Sequence, residues 1–324
     1  MRLRLVKQGT NFDFFKRWKL WLGISAVMMV VAFASFALQG LNFGIDFRGG
    51  TTIRTESPQP VDVAAYRAAL EALELGDISI TEVFDPTFRP DQNVALISIQ
   101  AQDGQESVTG DVVDQVRDAL LVIDPTMITP FPSVESVGPT VSGELIQTAA
   151  LAVIAAIAAV LIYIWLRFEW QFALGAVLAL VHDVILTIGI FSELQIRFDL
   201  AIIAALLTIV GYSLNDTVVV FDRVRENLRR YKKKPLAEVL NLSINETLSR
   251  TFMTSVTTLL ALISLFVLGG DVIRGFVFAM IWGVIIGTYS SIFVASAALL
   301  FLGVKRDWSK PDRTEGNQFA NIDA

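Results

Sequence analysis

The chain has 324 residues, 53% hydrophobic and 18% charged, a balance found in membrane proteins rather than soluble domains. Its formal charge of -6 averages over segregated blocks, because 18 of the 26 basic residues fall in three short stretches: 1–19, 222–250 and the tail after Gly303. Cysteine is absent, which excludes a disulfide framework, a thiol nucleophile and a cysteine metal site.

Residues 1–19 are polar and basic, with six Lys/Arg. Within them Phe12, Phe14, Phe15 and Trp18 predict that Asn11–Trp18 lies in the membrane interface. Leu20–Leu38 is an apolar run of 19 residues. About 20 helical residues cross a bilayer core of about 30 Å. The run exceeds the apolar core of about 7–15 residues in a signal peptide, so a retained anchor over 20–40 is expected.

Residues 41–143 predict a soluble insert, with 17 acidic and five basic residues over Asp46–Glu144. Thr51–Thr55 alternates as a strand does. Val61–Leu75 has helical spacing through Val61, Ala65, Ala68, Ala69 and Ala72. Ile78–Phe84 and Val94–Ile99 alternate again across the turn-forming Pro86–Asn93. Val108–Ile123 is a second amphipathic helix through Val112, Val116, Ala119 and Ile123, and Met127–Val137 a last strand. The order β-α-β-β-α-β fits a small ferredoxin-like α+β domain with two helices on one face.

Five more spans follow within 144–304: Leu145–Leu166, Phe172–Phe191, Leu200–Val220, Thr251–Leu268 and Phe276–Leu302. Their connections are short except for the loop 222–250, which holds eight Lys/Arg. The positive-inside rule puts that loop, Arg167 and both termini, including the tail 305–324, in the cytoplasm. The expected fold class is a membrane α-helical bundle of six transmembrane helices. One α+β ferredoxin-like extracytoplasmic domain sits between helices 1 and 2. Leu236–Leu248 is too polar to span. Its stripe of Leu236, Val239, Leu240, Ile244 and Leu248 fits an interfacial helix or a solvated helix packed on its own loop. Ala152, Ala155, Ala156 and Ala159 in the second span, and Gly283 and Gly287 in the last, predict close helix approach.

Charge then appears where lipid is expected. Thr208, Tyr212, Asn215, Val219, Asp222 and Glu226 fall at steps of four and three, so one face of the fourth span is almost wholly polar. Asp216 and Arg223 form an adjacent pair seven residues apart, and a proton can compete for such a pairing. His182-Asp183, with the only histidine, lies near the middle of the third span and reads as a proton site or as a structural hydrogen-bonded pair. A carboxylate at the centre of a membrane helix costs about 2.5–3.5 kcal/mol, so such groups turn toward protein or water. Arg225, Arg229 and Arg230 are an ordinary basic helix end. No phosphate-binding lysine loop occurs, and Gly49-Gly50-Thr51 reads as a flexible exit from the first span. No catalytic constellation, metal site, cofactor or nucleic-acid partner is expected, and the acidic insert reads as a binding or moving element.

Several stretches resemble the SecF branch of the SecD/SecF family of accessories to the bacterial protein translocase. They are Leu41–Thr51 with Asp46, Arg48, Gly49 and Gly50; Val137–Val141; His182-Asp183-Val184; and Val210–Thr217 with Gly211, Asn215 and Asp216, continuing through Asp222–Asn227 with Arg223. The similarity covers nearly all of 20–304. It implies half of a transporter related to the resistance–nodulation–division superfamily, with SecD as the other half. It also implies the SecYEG channel as partner, often with YajC, and use of the proton-motive force at the cell inner membrane to help exported polypeptides leave the channel. The resemblance leaves open which of Asp183, Asp216, Asp222, His182, Asn215 and Arg223 carries the proton. Two rival readings are a small-molecule efflux pump of the same superfamily and a passive membrane scaffold. Six spans with one outer loop look like one repeat of a two-repeat transporter.

Overall fold

The structure, a computed structural model, describes residues 10–100 and 109–304. The basic residues before Thr10, Val108 at the head of the second amphipathic helix and the tail 305–324 lie outside the described residues.

The first span is α1 (Trp18–Gln39), followed by a short helix α2 (Ile45–Arg48). The α+β domain comprises β1 (Gly50–Ser57), α3 (Val63–Glu71), β2 (Ile78–Val83), β3 (Asn93–Gln100), α4 (Gly110–Ile123) and β4 (Ser133–Val137). Its sheet order is β2-β3-β1-β4 with every pairing antiparallel, the ferredoxin-like arrangement the sequence predicts. Strand alternation makes one face apolar. Ile53, Ile80, Ile97 and Ile99 meet Tyr66 and Leu70 of α3 and Val116 and Leu120 of α4 there. The opposite face carries Thr52, Arg54, Thr81, Ser133 and Glu135, and has no helix of its own domain over it. It lines a cleft of about 660 Å³ against Asp199, Asp271 and Arg274 at the near end of the bundle.

The other spans are α5 (Pro139–Arg167), α6 (Trp170–Glu193), α7 (Leu200–Arg230), α8 (Leu236–Leu268) and a last helix running α9 (Asp271–Ser290), one π turn (Ser291–Ala295) and α10 (Ser296–Leu302). The helices at the centre are α6, α7 and α9. Gly283 and Gly287 face Ile209 and Ser213 of α7, and a Cβ on Gly287 would lie 3.0 Å from that of Ser213. The small residues of the last span therefore set the α7–α9 approach, as the sequence predicts. In the second span Ala152 and Ala156 are half-buried, while Ala155 and Ala159 are exposed on α5.

Two expectations need correction, those for Leu236–Leu248 and for Gly49-Gly50, and a third segment, Asn11–Trp18, gains contacts that leave its expected interface placement as it stood. Leu236–Leu248 is the first half of the 33-residue helix α8 and not a separate surface helix. No Pro or Gly lies between Leu248 and Thr251 to stop it. Its stripe of Val239, Leu240 and Ile244 packs on Val224 and Leu228 of α7. The Asn11–Trp18 segment is strapped to that same half of α8. Asn245 donates to Phe12 O and accepts from Phe12 N, both at 2.8 Å, while Asn241 Oδ1 accepts from Phe14 N at 2.8 Å. Phe15 is buried in the adjoining core. Gly49-Gly50 is no flexible exit but the fixed junction described below.

Candidate functional site

Three polar groupings lie along the central helices. The first is built on Asp183 of α6, which is 1% exposed. Ser213 Oγ of α7 and Ser290 Oγ of α9 donate to its Oδ2 at 2.6 and 2.8 Å. His182 Nδ1 lies 3.0 Å from Oδ1. The close packing at Gly287 is what brings Ser213 and Ser290 to one carboxylate. The His182 ring stacks on Tyr289, whose hydroxyl donates to Trp21 O of α1 at 2.8 Å. His182 Nε2 is buried without a partner among the described residues.

The second grouping is Asp216, one helical turn below Ser213 on α7 and 3% exposed. Its Oδ2 has no hydrogen-bond donor among the described residues, and neither Thr217 Oγ1 nor Thr251 Oγ1 has a partner there. Arg250, exposed at the midpoint of α8, attracts Asp216 from a distance but forms no ion pair with it among the described residues. Arg223 does not take that role. Its guanidinium meets Glu226 at 2.8 Å and Glu246 at 3.5 Å, and Asp222 pairs with Arg167 at 3.2 Å. Seven residues are about 10 Å along a helix axis, which carries Arg223 to the end of α7 far from the sheet domain. There Asn227 donates to Ser243 Oγ and Glu246 Oε2 at 3.0 and 2.7 Å, tying α7 to α8.

The polar face of α7 is the third grouping. Thr208, Gly211, Asn215, Asp222 and Glu226 are exposed, and Tyr212 and Val219 are half-buried. Nothing lies within 4 Å of where a Cβ on Gly211 would stand. The stripe therefore points away from the chain's own bundle, on the flank opposite the buried Ser213 and next to Asp216.

At the sheet-domain end, α2 seats on the start of α7. Leu200 N donates to Asp46 Oδ2 at 3.0 Å, and Ile202 N to Asp199 Oδ1 at 3.3 Å, so two carboxylates serve the N-terminus of the helix that carries Asp216. Burial, with Asp46 adding to it, holds the Asp199 carboxyl above its usual range against the helix N–H groups and Arg197. Phe43 bridges Phe198, and backbone bonds Gly44 N to Phe198 O and Phe198 N to Asn42 O, both 2.8 Å, lock the segments together. Gly49 (φ 76°) and Gly50 (φ 133°) then turn the chain into β1 with angles that side chains rarely adopt. Arg48 projects outward from this junction.

The structure thus joins His182 to Asp183, and Asp46 to α7, while holding Arg223 and Asp222 apart from the buried carboxylates. Sequence reasoning missed Ser213, Ser290, Arg250 and Asp199 as partners. The cluster Thr288–Ser291 in an otherwise apolar span was a legible signal for Ser290. Arg250 was masked because it closes the basic stretch 222–250, which reads in the sequence as one surface loop.

The family model "Protein export membrane protein SecD/SecF, C-terminal" matches residues 124–305, and "SecD/SecF GG Motif" matches 34–61. The protein translocase subunit SecF of Cereibacter sphaeroides is 62% identical, covering 100% of this chain and 99% of its own. That of Rickettsia rickettsii is 41% identical over 95% of this chain and 97% of its own. The crystal structure of SecDF, a translocon-associated membrane protein from Thermus thermophilus, superposes with a TM-score of 0.79 at 34% identity, over 91% of this chain. This chain spans only 39% of that SecDF chain.

Proposed function

The chain belongs to the SecD/SecF family of protein export membrane proteins, and from that premise we propose that it is the SecF-type half of a proton-driven export accessory. Its other half is a SecD-type bundle packed on the polar flank of α7. The pair sits in the inner membrane beside the SecYEG channel, with YajC as a further associate. The loop after α7 and both termini face the cytoplasm, and the sheet domain faces outside.

The observation that carries the reading is Asp216, a buried carboxylate whose Oδ2 lacks a donor, beside a stripe of Thr208, Gly211 and Asn215 left open toward a partner. An orphaned carboxylate in a packed interior is stable only when protonated, watered or paired. The outer face supplies the proton. Asp216 takes it, loses its attraction to Arg250, and returns it toward the cytoplasm once Arg250 is again in reach. One charge moved through 100 mV is worth about 2.3 kcal/mol, enough to shift a two-state helix arrangement by more than tenfold. Asp183, held by Ser213 and Ser290, senses any slide of α7 against α9. Asp46 carries the displacement of α7 to α2 and so to β1. The sheet domain then tilts and holds or releases the emerging polypeptide.

The test is Asp216→Asn and Asp183→Asn, singly and together, in the assembled complex. Export of a secreted reporter is measured with the proton gradient intact and collapsed. The proton-dependent part of export is expected to vanish in the double variant while co-purification with the SecD-type half persists. Undiminished proton-dependent export would refute the reading. A passive scaffold predicts that outcome.

A further inference from the structure

An apolar recess of about 410 Å³ opens on the flank of the bundle between α1 and α5. Every side chain lining it is apolar, among them Phe33 and Phe36 of α1, Ala150 and Ile154 of α5, and Ile188 of α6. Phe43 closes its end toward the sheet domain. The walls are fixed rather than collapsible. Ser35 Oγ donates to Ser192 Oγ at 3.1 Å, and Ser192 Oγ to Gly40 O at 2.7 Å, pinning α1 to α6. Ser142 Oγ of α5 reaches Ile45 O of α2 at 3.4 Å. An apolar cavity of this size holds no ordered water, so it is filled by an apolar group or left empty at a cost in packing.

On the other side of Phe43 lies a polar pocket of about 380 Å³. Arg48, Arg67 and Arg197 line it against a single carboxylate, Asp77. Arg48 and Arg197 are exposed and belong to none of the ion pairs among the described residues. Three guanidinium groups against one carboxylate above an oily slot, with Arg197 also acting on Asp199, match one kind of ligand, an acyl chain carrying an anionic phosphate ester at its head.

We propose that the recess between α1 and α5 is a binding site for one anionic phospholipid of the leaflet on the sheet-domain side. One acyl chain occupies the apolar slot, and the phosphodiester rests over Phe43 against Arg197 and Arg48. The lipid would brace α1 and the Asn42–Arg48 turn, whose Asp46 holds the start of α7. This inference needs only the membrane-spanning character of the bundle and stands apart from the proton reading.

The experiment is native mass spectrometry of the complex with its SecD-type half in mild detergent, titrated with phosphatidylglycerol or phosphatidylethanolamine. The wild type is expected to retain one phosphatidylglycerol in preference to phosphatidylethanolamine by about tenfold, or 1.4 kcal/mol. Ala150→Trp, at an exposed position of α5, fills the slot and is expected to lose retention of both lipids. Val153→Phe gives a second blocking variant should the first fail to assemble. Arg48→Gln/Arg197→Gln is expected to keep one lipid but without headgroup preference. Equal retention by wild type and both blocking variants overturns the slot. An unchanged preference in the arginine double variant overturns the headgroup assignment. Lipid bound to the isolated chain but absent from the complex makes the recess a partner interface and defeats the proposal.

Discussion

Asp183 and Asp216 lie on neighbouring central helices and live in different chemistry. Asp183 has serine donors on two helices, at 2.6 and 2.8 Å, while Asp216 Oδ2 has none. A hydrogen bond to a charged acceptor contributes about 1.5–3 kcal/mol when buried. Ser213→Ala and Ser290→Ala should each lower stability by about that amount. The double variant should lose more than the sum, because the second deletion leaves one buried oxygen with no donor at all. Thermal melting of the assembled complex in detergent checks this, and strict additivity would separate the two serines. No such cost attaches to removing Arg223, whose partners Glu226 and Glu246 are part-exposed and screened. Sequence spacing pointed to Arg223 and said nothing of Arg250. The reason is physical: a helix periodicity relates residues on one helix and is silent on the neighbour that packs against it.

At the level of elements, α2 is the seat on which the start of α7 rests. Replacing Asp46 by Ala removes one acceptor at the first turn of α7, worth about 1 kcal/mol for a helix cap, whereas Asp46→Asn keeps an acceptor. Hydrogen exchange at Leu200–Ile203 should accelerate in the alanine variant and stay near wild type in the asparagine variant. Most elements were legible because burial imposes a period on them. The apolar runs read as spans, and the alternation of Ile53, Ile80 and Ile97 read as strands. Four-residue α2 was not legible, since one turn has no period to detect and its aromatic contacts with Phe198 come from a distant loop. Nor was the join at Leu248–Thr251, where polarity changes but the backbone does not. A helix of 33 residues extends about 50 Å, so α8 spans the bilayer and still projects beyond it.

On the scale of the whole molecule, the sheet domain touches the bundle at a second place besides its two covalent links. Phe84 N donates to Asp271 Oδ2 at 2.6 Å, Asp271 N donates to Phe84 O at 3.0 Å, and a Cβ on Gly270 would stand 3.2 Å from that of Asp85. Arg274 holds the same Asp271. Disulfides form at Cβ separations near 3.5–4.5 Å, a few tenths of an ångström away. The chain has no cysteine, so Asp85→Cys with Gly270→Cys gives one defined crosslink, at the cost of side-chain strain because Gly270 stands at φ 32°. Oxidation is expected to stop export in the assembled complex and reduction to restore it, measured with the secreted reporter. Full export in the oxidised state would mean that the domain works without leaving the bundle. The unclothed flank of α7 has a consequence of another kind, for the cell that makes this chain. Until a complement covers that flank, Thr208 and Asn215 confront hydrocarbon, so an unassembled copy carries exposed polar groups that cost it stability in the bilayer. A chain made in excess of its complement is therefore expected to turn over faster than the assembled pair, and a pulse-chase comparison of the two reads this.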